Sequence, residues 1–218
     1  MIRRGVTALE GVFIGGHRAA VYAGSHKIWP LDDDPGPDPT PEWDFFDDFD
    51  RATIGSDWTG TGATIEDGAL TKNTTAGTAS LWTAQQFGSD DLMVEVTIGT
   101  TEDRQESGAI LFGAGSGEDF VAVEFSRARF HAFGWVNGQW PGYGDFPTQP
   151  LDDGDTIRVT RRGENFTVDY NGSPLGTFTS DAARGPDFRR VALEVNMDLN
   201  FFIRWYGPTI DSIGVMEL

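Results

Sequence analysis

Apolar and polar residues alternate along most of the chain after residue 43. The clearest case is DLMVEVTIG at 91–99, where every second residue is a large aliphatic one: Leu92, Val94, Val96 and Ile98. A period of two places these side chains on one face of an extended chain, which predicts a half-buried β-strand. Comparable segments follow at the spacing typical of a β-sandwich; they are AILFGAG, DFVAVEF, TIRVTRRG, NFTVDYNG, RRVALEVNM and FFIRWYG.

Turn signals separate these segments. The Asn-Gly pairs at 137–138 and 171–172 lie between strand-like flanks. They predict type I′ hairpin turns, in which both central residues need a positive φ. Helix signals are weak, and the best is SDAARGPDF at 180–188, where Ser180 or Asp181 would cap one short turn that ends before Gly185-Pro186. The pattern therefore predicts an all-β fold, an antiparallel jelly-roll β-sandwich.

A small N-terminal piece precedes this domain. Within residues 1–30, GVFIGG and AAVYAG read as short strands with GGHR as the turn between them, and the element ends at Trp29-Pro30. A unit of fewer than roughly 40 residues rarely buries enough surface to fold alone. We therefore expect residues 1–30 to be a β anchor that orders against a partner or its own copies. Its expected interface residues are Val21, Tyr22, Ile28 and Trp29.

A linker is predicted at 31–42, LDDDPGPDPTPE. Its alternating prolines favour extended polyproline II and its aspartates repel one another, so it would act as a semi-rigid spacer of about 35 Å, at about 3.1 Å per residue.

The net charge of the chain also changes at this linker. Residues 1–30 carry four basic residues against Glu10, a net of +3, so the rest must carry −21 to give the total of −18. The predicted domains are thus 1–30, 31–42 and 43–218.

Composition narrows the possible partners. A net charge of −18 repels phosphate backbones and anionic headgroups, which argues against nucleic acid and membrane surfaces as partners. The chain has no cysteine, no apolar run long enough to span a membrane and no recognisable signal peptide, so we expect synthesis in a host cytoplasm. Fourteen arginines against two lysines indicate a GC-rich bacterial or phage genome.

Two resemblances follow from particular stretches. FDDFDRATIGSDWTG (46–60), LDDGDTIRVTRRGENFTVDYNG (151–172) and the closing TIDSIGVMEL (209–218) resemble a laminin-G-like, concanavalin A-like jelly roll. That resemblance implies paired first and last strands, and commonly sugar or protein binding. FIGGHRAAVYAGSHKIWP, at 13–30, resembles the opening of minor tail proteins of actinobacterial siphophages. This second resemblance implies a virion protein at the distal tail.

Signals for catalysis and metal binding are weak. A retaining glycosidase needs two carboxylates about 5–5.5 Å apart, and no Glu-x-Asp-x-Glu strand occurs; Glu194 and Asp198 share a strand face without a third acid. No cysteine exists, and the three histidines show no catalytic or zinc-ligand motif. Calcium, which takes oxygen ligands, is the one cofactor for which the sequence offers candidate ligands. Its candidates are the stretch at 44–48 and a set of three aspartates, Asp152, Asp153 and Asp155.

Sugar binding has the best candidate stretch, HAFGWVNGQWPGYGDF at 131–146. Large aromatic residues in a glycine-rich loop have few neighbours to bury them, and exposed rings can stack on sugar faces. The predicted carbohydrate-binding residues are Trp135, Trp140, Tyr143, Asp145 and Asn137. Phe133 is expected to point into the core, as are Trp58 and Trp82.

Taken together, the sequence predicts a phage minor tail protein whose jelly roll recognises a glycan of the host envelope without turnover. Residues 1–30 would contact other tail proteins and form a homo-oligomer, with a trimer as the first hypothesis, because several weak sites acting together raise avidity. Two alternatives stay open. One is a glycan-degrading tail enzyme, either a hydrolase or a lyase. The other is a purely structural decoration domain.

Overall fold

The computed structural model describes residues 42–73, 75–101, 106–115, 118–200 and 203–218, together with four short strands near the N-terminus. Contacts divide the chain into two units, Met1–Glu42 and Trp43–Leu218. The four strands of the first unit are β1 (Phe13–Ile14), β2 (His17–Arg18), β3 (Val21–Ala23) and β4 (His26–Trp29). β1 pairs with β2 and β3 with β4, both antiparallel. The side chains of the predicted interface residues, Val21, Tyr22, Ile28 and Trp29, lie outside what the structure describes.

In its described residues, the second unit consists of strands and one short 3-10 helix, Pro186–Phe188. Its strands are β5 (Phe45–Asp47), β6 (Trp58–Thr59), β7 (Ala63–Glu66), β8 (Ala69–Lys72), β9 (Gly77–Thr83), β10 (Leu92–Ile98), β11 (Gly108–Gly113), β12 (Phe120–Phe125), β13 (Phe130–Trp135), β14 (Gly142–Phe146), β15 (Thr156–Arg162), β16 (Asn165–Tyr170), β17 (Ser173–Thr179), β18 (Arg190–Asn200), β19 (Ile203–Tyr206) and β20 (Ile210–Glu217). Among the residues described, no helix is long and apolar enough to cross a membrane.

These strands form two antiparallel sheets of eight strands each. Sheet I runs β17-β16-β15-β10-β20-β8-β7, with β5 also paired to β20. Sheet II runs β14-β13-β12-β11-β18-β9-β6, with β19 also paired to β18. The pairing of the opening strand β5 with the closing strand β20 is the one that the jelly-roll resemblance implied. The predicted fold class, an antiparallel jelly-roll sandwich, is confirmed.

The main core lies between the two sheets and follows from the alternation. Along β10 the residues Leu92, Val94, Val96 and Ile98 are fully buried, and the residues between them are half-buried. Sheet II contributes its own alternate residues, such as Ile110 and Phe112 of β11. Apolar side chains from both sheets thereby leave water together, at about 25 cal/mol for each Å² of apolar surface buried.

A second apolar cluster lies on the outer face of sheet II, the face turned away from sheet I. It contains Trp82, Ala109, Leu111, Ala122 and Ala192, with Phe120 and Phe133 packed against it. The small alanines leave room for the indole of Trp82, which is 2% exposed. Phe133 was expected in the main core and instead lies here, because the core-facing residues of β13 are Phe130 and Ala132.

Both predicted Asn-Gly turns have the backbone that the pairs favour. Asn137 and Gly138 have φ of 51° and 76°, and Asn171 and Gly172 have φ of 49° and 72°. The short turn predicted after Ser180 is present, because the Ala183 N–H donates to the Ser180 carbonyl oxygen. A 3-10 helix that the sequence did not predict follows at Pro186–Phe188. Proline fixes φ near the helical value and suits the first helical position, so here it starts the helix.

Candidate functional site

Four aromatic residues form a continuous platform on the outer face of sheet II: Phe120, Phe133, Trp135 and Trp140. Trp140 joins the others, with ring centroids 4.9 Å from Trp135 and 6.0 Å from both Phe120 and Phe133. Although it contacts three rings, Trp140 remains 67% exposed. The platform therefore presents a large aromatic surface to solvent at the β13–β14 end of the sheet.

The hairpin turn explains why the platform forms. Asn137-Gly138 makes a two-residue turn in which Val136 and Gln139 are bridged by backbone hydrogen bonds of 2.9 and 3.0 Å. The next positions outward on the two chains are Trp135 and Trp140, so the turn sets these indoles side by side. A cross-strand pair of this kind stabilises a hairpin by up to about 1 kcal/mol. Two of the five predicted sugar-binding residues are thus brought together by one turn.

A hollow of about 280 Å³ lies on one side of Trp140. Its lining side chains combine charge and aromatic surface, and they are Glu124, Arg129, His131, Phe133 and Trp140, with Pro141 and Gly142 completing the wall. His131 stacks on Phe133 with centroids 5.8 Å apart and planes at 10°. We call this the first hollow. It offers a flat apolar floor with hydrogen-bonding groups at its edge, which is the usual composition of a small-ligand site.

Asp145 lies beside two residues that line the first hollow, Arg129 and His131. Nε of Arg129 donates to Oδ1 of Asp145 at 2.9 Å. This bond lowers the pKa of Asp145 below its ordinary value. Nδ1 of His131 lies 2.9 Å from the same oxygen but makes no aligned hydrogen bond in the described structure. The imidazole is therefore held close to the carboxylate of Asp145.

A second hollow, of about 380 Å³, also borders Trp140 and Pro141. Its polar lining differs from that of the first hollow, because it includes the amide residues Asn137 and Gln139 together with Asp181. Asn137 stands at the exposed hairpin tip, and its backbone N–H donates to both carboxylate oxygens of Asp119, at 3.0 and 3.1 Å. We call this the second hollow; it shares Trp140 and Pro141 with the first.

Tyr143 takes a different position from the other predicted sugar-binding residues. Its ring stacks on Phe178 with centroids 5.5 Å apart, and its hydroxyl accepts a hydrogen bond of 2.8 Å from Ser180. The ring packs against the main core, while the residue also lines the second hollow. It therefore belongs to the wall of the second hollow and is not part of the aromatic platform.

Two carboxylates face each other across the middle of sheet II. Glu124 of β12 and Glu194 of β18 are both paired with Ala109 of the intervening strand β11. Burial raises the pKa of Glu194, whose Oε2 accepts a hydrogen bond of 3.3 Å from Ser80. With one strand between them, their Cα atoms are about 9–10 Å apart, at about 4.8 Å per strand. Sequence spacing did not connect these two acids, because their strands are distant in the chain.

Two of the three predicted calcium aspartates, Asp153 and Asp155, accept hydrogen bonds from donors of the protein. Asp153 Oδ1 accepts from the backbone N–H and the hydroxyl of Thr101, at 2.8 and 2.9 Å. Asp155 accepts from the Asp152 N–H at 2.6 Å and from the amide of Asn171 at 2.8 Å. These bonds lock the turn before β15. Within the described ranges, no group of three or more acidic, histidine or cysteine residues is arranged to hold a metal ion.

Sequence reasoning missed four residues of this site: Phe120, Glu124, Arg129 and His131. A usable signal existed for His131, because it shares the parity of Phe133 and Trp135 along β13, and residues two apart on a strand share a face. Phe120 and Glu124 come from the neighbouring strand β12, where they pair with Trp135 and His131. Their inclusion depends on strand pairing and register, which the alternation alone does not give.

No family model matches the chain, and no curated protein matches it. Solved structures do. A β-glucanase from Bacillus licheniformis is 11% identical with a TM-score of 0.59, over 80% of this chain and 98% of that one. A protein of unknown function with a galectin-like fold, from Bacillus subtilis, is 11% identical with a TM-score of 0.56, over 80% and 96%. The carbohydrate recognition domain of Emp47p is 15% identical with a TM-score of 0.51, over 78% and 93%. These similarities show the fold, a galectin-like jelly roll.

Proposed function

We propose that residues 43–218 form a glycan-binding module that holds its ligand on the aromatic platform and does not turn it over. The observation that carries the proposal is Trp140, which is 67% exposed although three aromatic rings lie around it. Exposing so much indole costs the free protein favourable burial, and a ligand that covers it recovers that free energy.

Sugar chemistry suits this surface. A pyranose ring presents C–H groups on its face, and these carry the slight positive charge that the negative face of an aromatic ring attracts. The hydroxyl groups at the ring edge need donors and acceptors, which the first hollow supplies through Glu124, Arg129 and His131. Among the similar structures, the Emp47p domain is by name a carbohydrate recognition domain, which agrees with such a use of the fold.

Turnover is the alternative that one observation favours. Glu124 and Glu194 flank Ala109, and burial raises the pKa of Glu194 as a general acid would require. One of the similar structures is by name a β-glucanase. We nevertheless propose binding, because the exposed aromatic surface and the two hollows lie at the β13–β14 end of the sheet, whereas Glu194 lies on β18, beyond β12 and β11.

Substitution of Trp140 by alanine tests the function. We expect Trp140→Ala to weaken binding at least about 10-fold, equal to about 1.4 kcal/mol, because it removes the centre of the platform. Binding is measured first on an array of neutral, amino and acidic oligosaccharides, and then by titration calorimetry with the strongest neutral ligand. Release of reducing ends from the same oligosaccharides is measured in parallel.

The matched control is Phe46→Ala, which removes another exposed aromatic ring, 55% exposed, from β5 of sheet I. This variant should bind like the wild type. Wild-type affinity in Trp140→Ala, or no binding of the wild type to any oligosaccharide on the array, would contradict the proposal. Steady release of reducing ends that Glu194→Gln abolishes would replace binding by hydrolysis.

We also propose a setting for this module, a minor tail protein of a phage, with residues 1–30 as the attachment element and the jelly roll turned to the host envelope. Its support is the resemblance of 13–30 to tail proteins, the net charge of +3 on residues 1–30, and the proline-rich stretch that follows. Copurification of the full-length protein, but not of a variant without residues 1–30, with tail particles is the expected result.

A further inference from the structure

The two hollows share part of their lining. Trp140 and Pro141 line both of them, and the hollows measure about 280 and 380 Å³. Ligand pockets commonly measure about 300–1,000 Å³, so the first hollow falls just below that range and the second lies near its lower end. A ligand that used the whole exposed indole would extend into both hollows.

The polar groups of the hollows differ in a way that suits two successive sugar units. The first hollow is lined by the charged side chains of Glu124 and Arg129, and Arg129 is already bound to Asp145. The second hollow offers Gln139 and Asp181, two exposed side chains that can both accept hydrogen bonds. Amide and carboxylate side chains are well suited to the adjacent hydroxyl groups of a sugar ring. Both hollows therefore contain hydrogen-bonding groups of their own beside a shared aromatic ring.

We infer that the hollows are adjacent subsites and that the ligand class is a linear oligosaccharide, with at least one unit in each hollow. The inference rests on the proposed glycan-binding function and deepens it. A single sugar can fill only one hollow and uses part of the indole. An oligosaccharide fills both, and because its units are already linked, the second contact does not require another loss of translational freedom.

Chain length is the variable that tests the inference. The full-length protein is titrated with one to six units of the oligosaccharide series that it binds best on the array, chosen among chito-, cello- and xylo-oligosaccharides. The expected result is a rise in affinity of at least about 10-fold between one unit and three units, followed by a plateau. Equal affinity at every length would overturn the inference while leaving the proposed function intact.

A double variant, Gln139→Ala with Asp181→Ala, tests which hollow supplies the gain. Both side chains are exposed, so the fold should be unaffected. We expect the affinity gain with chain length to shrink to about 3-fold or less. The matched variant Arg129→Ala, in the first hollow, should weaken trisaccharide binding without changing the Gln139 and Asp181 contacts. A full gain in the double variant would overturn the second subsite, whereas absence of any binding on the array would contradict the proposed function itself.

Discussion

At the scale of single residues, Asp47 is the clearest example of a buried charge that is fully satisfied. Its side chain is 5% exposed and accepts hydrogen bonds of 2.5 and 2.6 Å from the guanidinium of Arg51. It also accepts from Nε1 of Trp58 at 2.6 Å and from the Phe49 N–H at 2.8 Å. Burial raises the pKa of Asp47, but these four donors outweigh it and leave the pKa below its ordinary value. The carboxylate therefore joins β5 to β6 and to the turn between them.

Replacing Asp47 by asparagine should lower the free energy of unfolding by about 2 kcal/mol at pH 7. This is less than the 3–5 kcal/mol expected for a fully buried pair, since Arg51 is one-third exposed. The folded-state pKa lies below the unfolded value, so the stabilisation is present above about pH 4 and is lost as the pH falls through the folded value. Urea unfolding at pH 7 and in acid should therefore show the difference between wild type and Asp47→Asn shrinking in acid.

The control for this experiment is Asp48→Ala, whose carboxylate accepts only an exposed bond of 3.1 Å from the Asp50 N–H among the bonds described. It should change stability by less than about 1 kcal/mol at either pH. A pH-independent loss in Asp47→Asn would mean that packing, and not ionisation, accounts for the role of this residue.

At the scale of elements, β15 carries a charged residue, Arg161, on its buried and otherwise apolar face. Ile157, Val159 and Arg161 occupy its buried face, and Arg161 is fully buried. Its guanidinium donates to the carbonyl oxygens of Gly163 at 3.0 Å, Ala183 at 2.7 Å and Phe188. A strand of sheet I is thereby tied to the segment 183–188, which contains the 3-10 helix.

Arg161→Met should destabilise the domain by about 3 kcal/mol, because methionine fills similar space but leaves buried carbonyl groups without donors. Arg162→Met is the matched control, since the adjacent arginine is exposed and should tolerate the change within about 0.5 kcal/mol. Denaturant midpoints of the two variants measure the difference. Equal midpoints would show that water replaces the lost donors and that the tether is dispensable.

The strands also show what the sequence could and could not predict. Alternation and turn chemistry predicted the strands and both Asn-Gly hairpins, because these depend on local preferences. The pairing of the first and last strands was implied by the resemblance to a laminin-G-like, concanavalin A-like jelly roll. Alternation cannot say which face of a strand meets the other sheet, so Phe133 was assigned to the wrong side. It also cannot foresee a buried Arg161, whose partners are carbonyls of a distant segment.

The candidate site was predictable in part for the same reason. Trp135 and Trp140 are connected by the Asn-Gly turn that the sequence predicts, so their proximity follows from local chemistry. Glu124 and Phe120 reach the site through the pairing of β12 with β13. That pairing is a long-range property that depends on register and is not visible in either segment alone.

At the scale of the whole molecule, charge is the dominant feature. The chain carries −18, and Glu124 and Glu194 share the face that bears the platform. Arg129, the arginine that lines the first hollow, is already bound to Asp145. A glycan with carboxylate groups would therefore approach a negative surface with little to neutralise it, whereas a neutral glycan would meet no such barrier.

Salt should therefore separate the two kinds of glycan. The Debye length, over which charges still interact, is about 30 Å at 0.01 M salt and about 3 Å at 1 M. Repulsion between the glycan and the protein therefore acts at the first concentration and is screened at the second. We expect the Kd of a neutral oligosaccharide to change less than about 2-fold between these two salt concentrations. The Kd of a uronic acid oligosaccharide of equal length should be at least about 10-fold higher at 0.01 M salt than at 1 M. Glu124→Gln should narrow that gap, because it removes the carboxylate that lines the first hollow. Equal binding of both ligands at 0.01 M would show that the acidic surface does not select among glycans, and the charge would then serve only to keep the protein soluble.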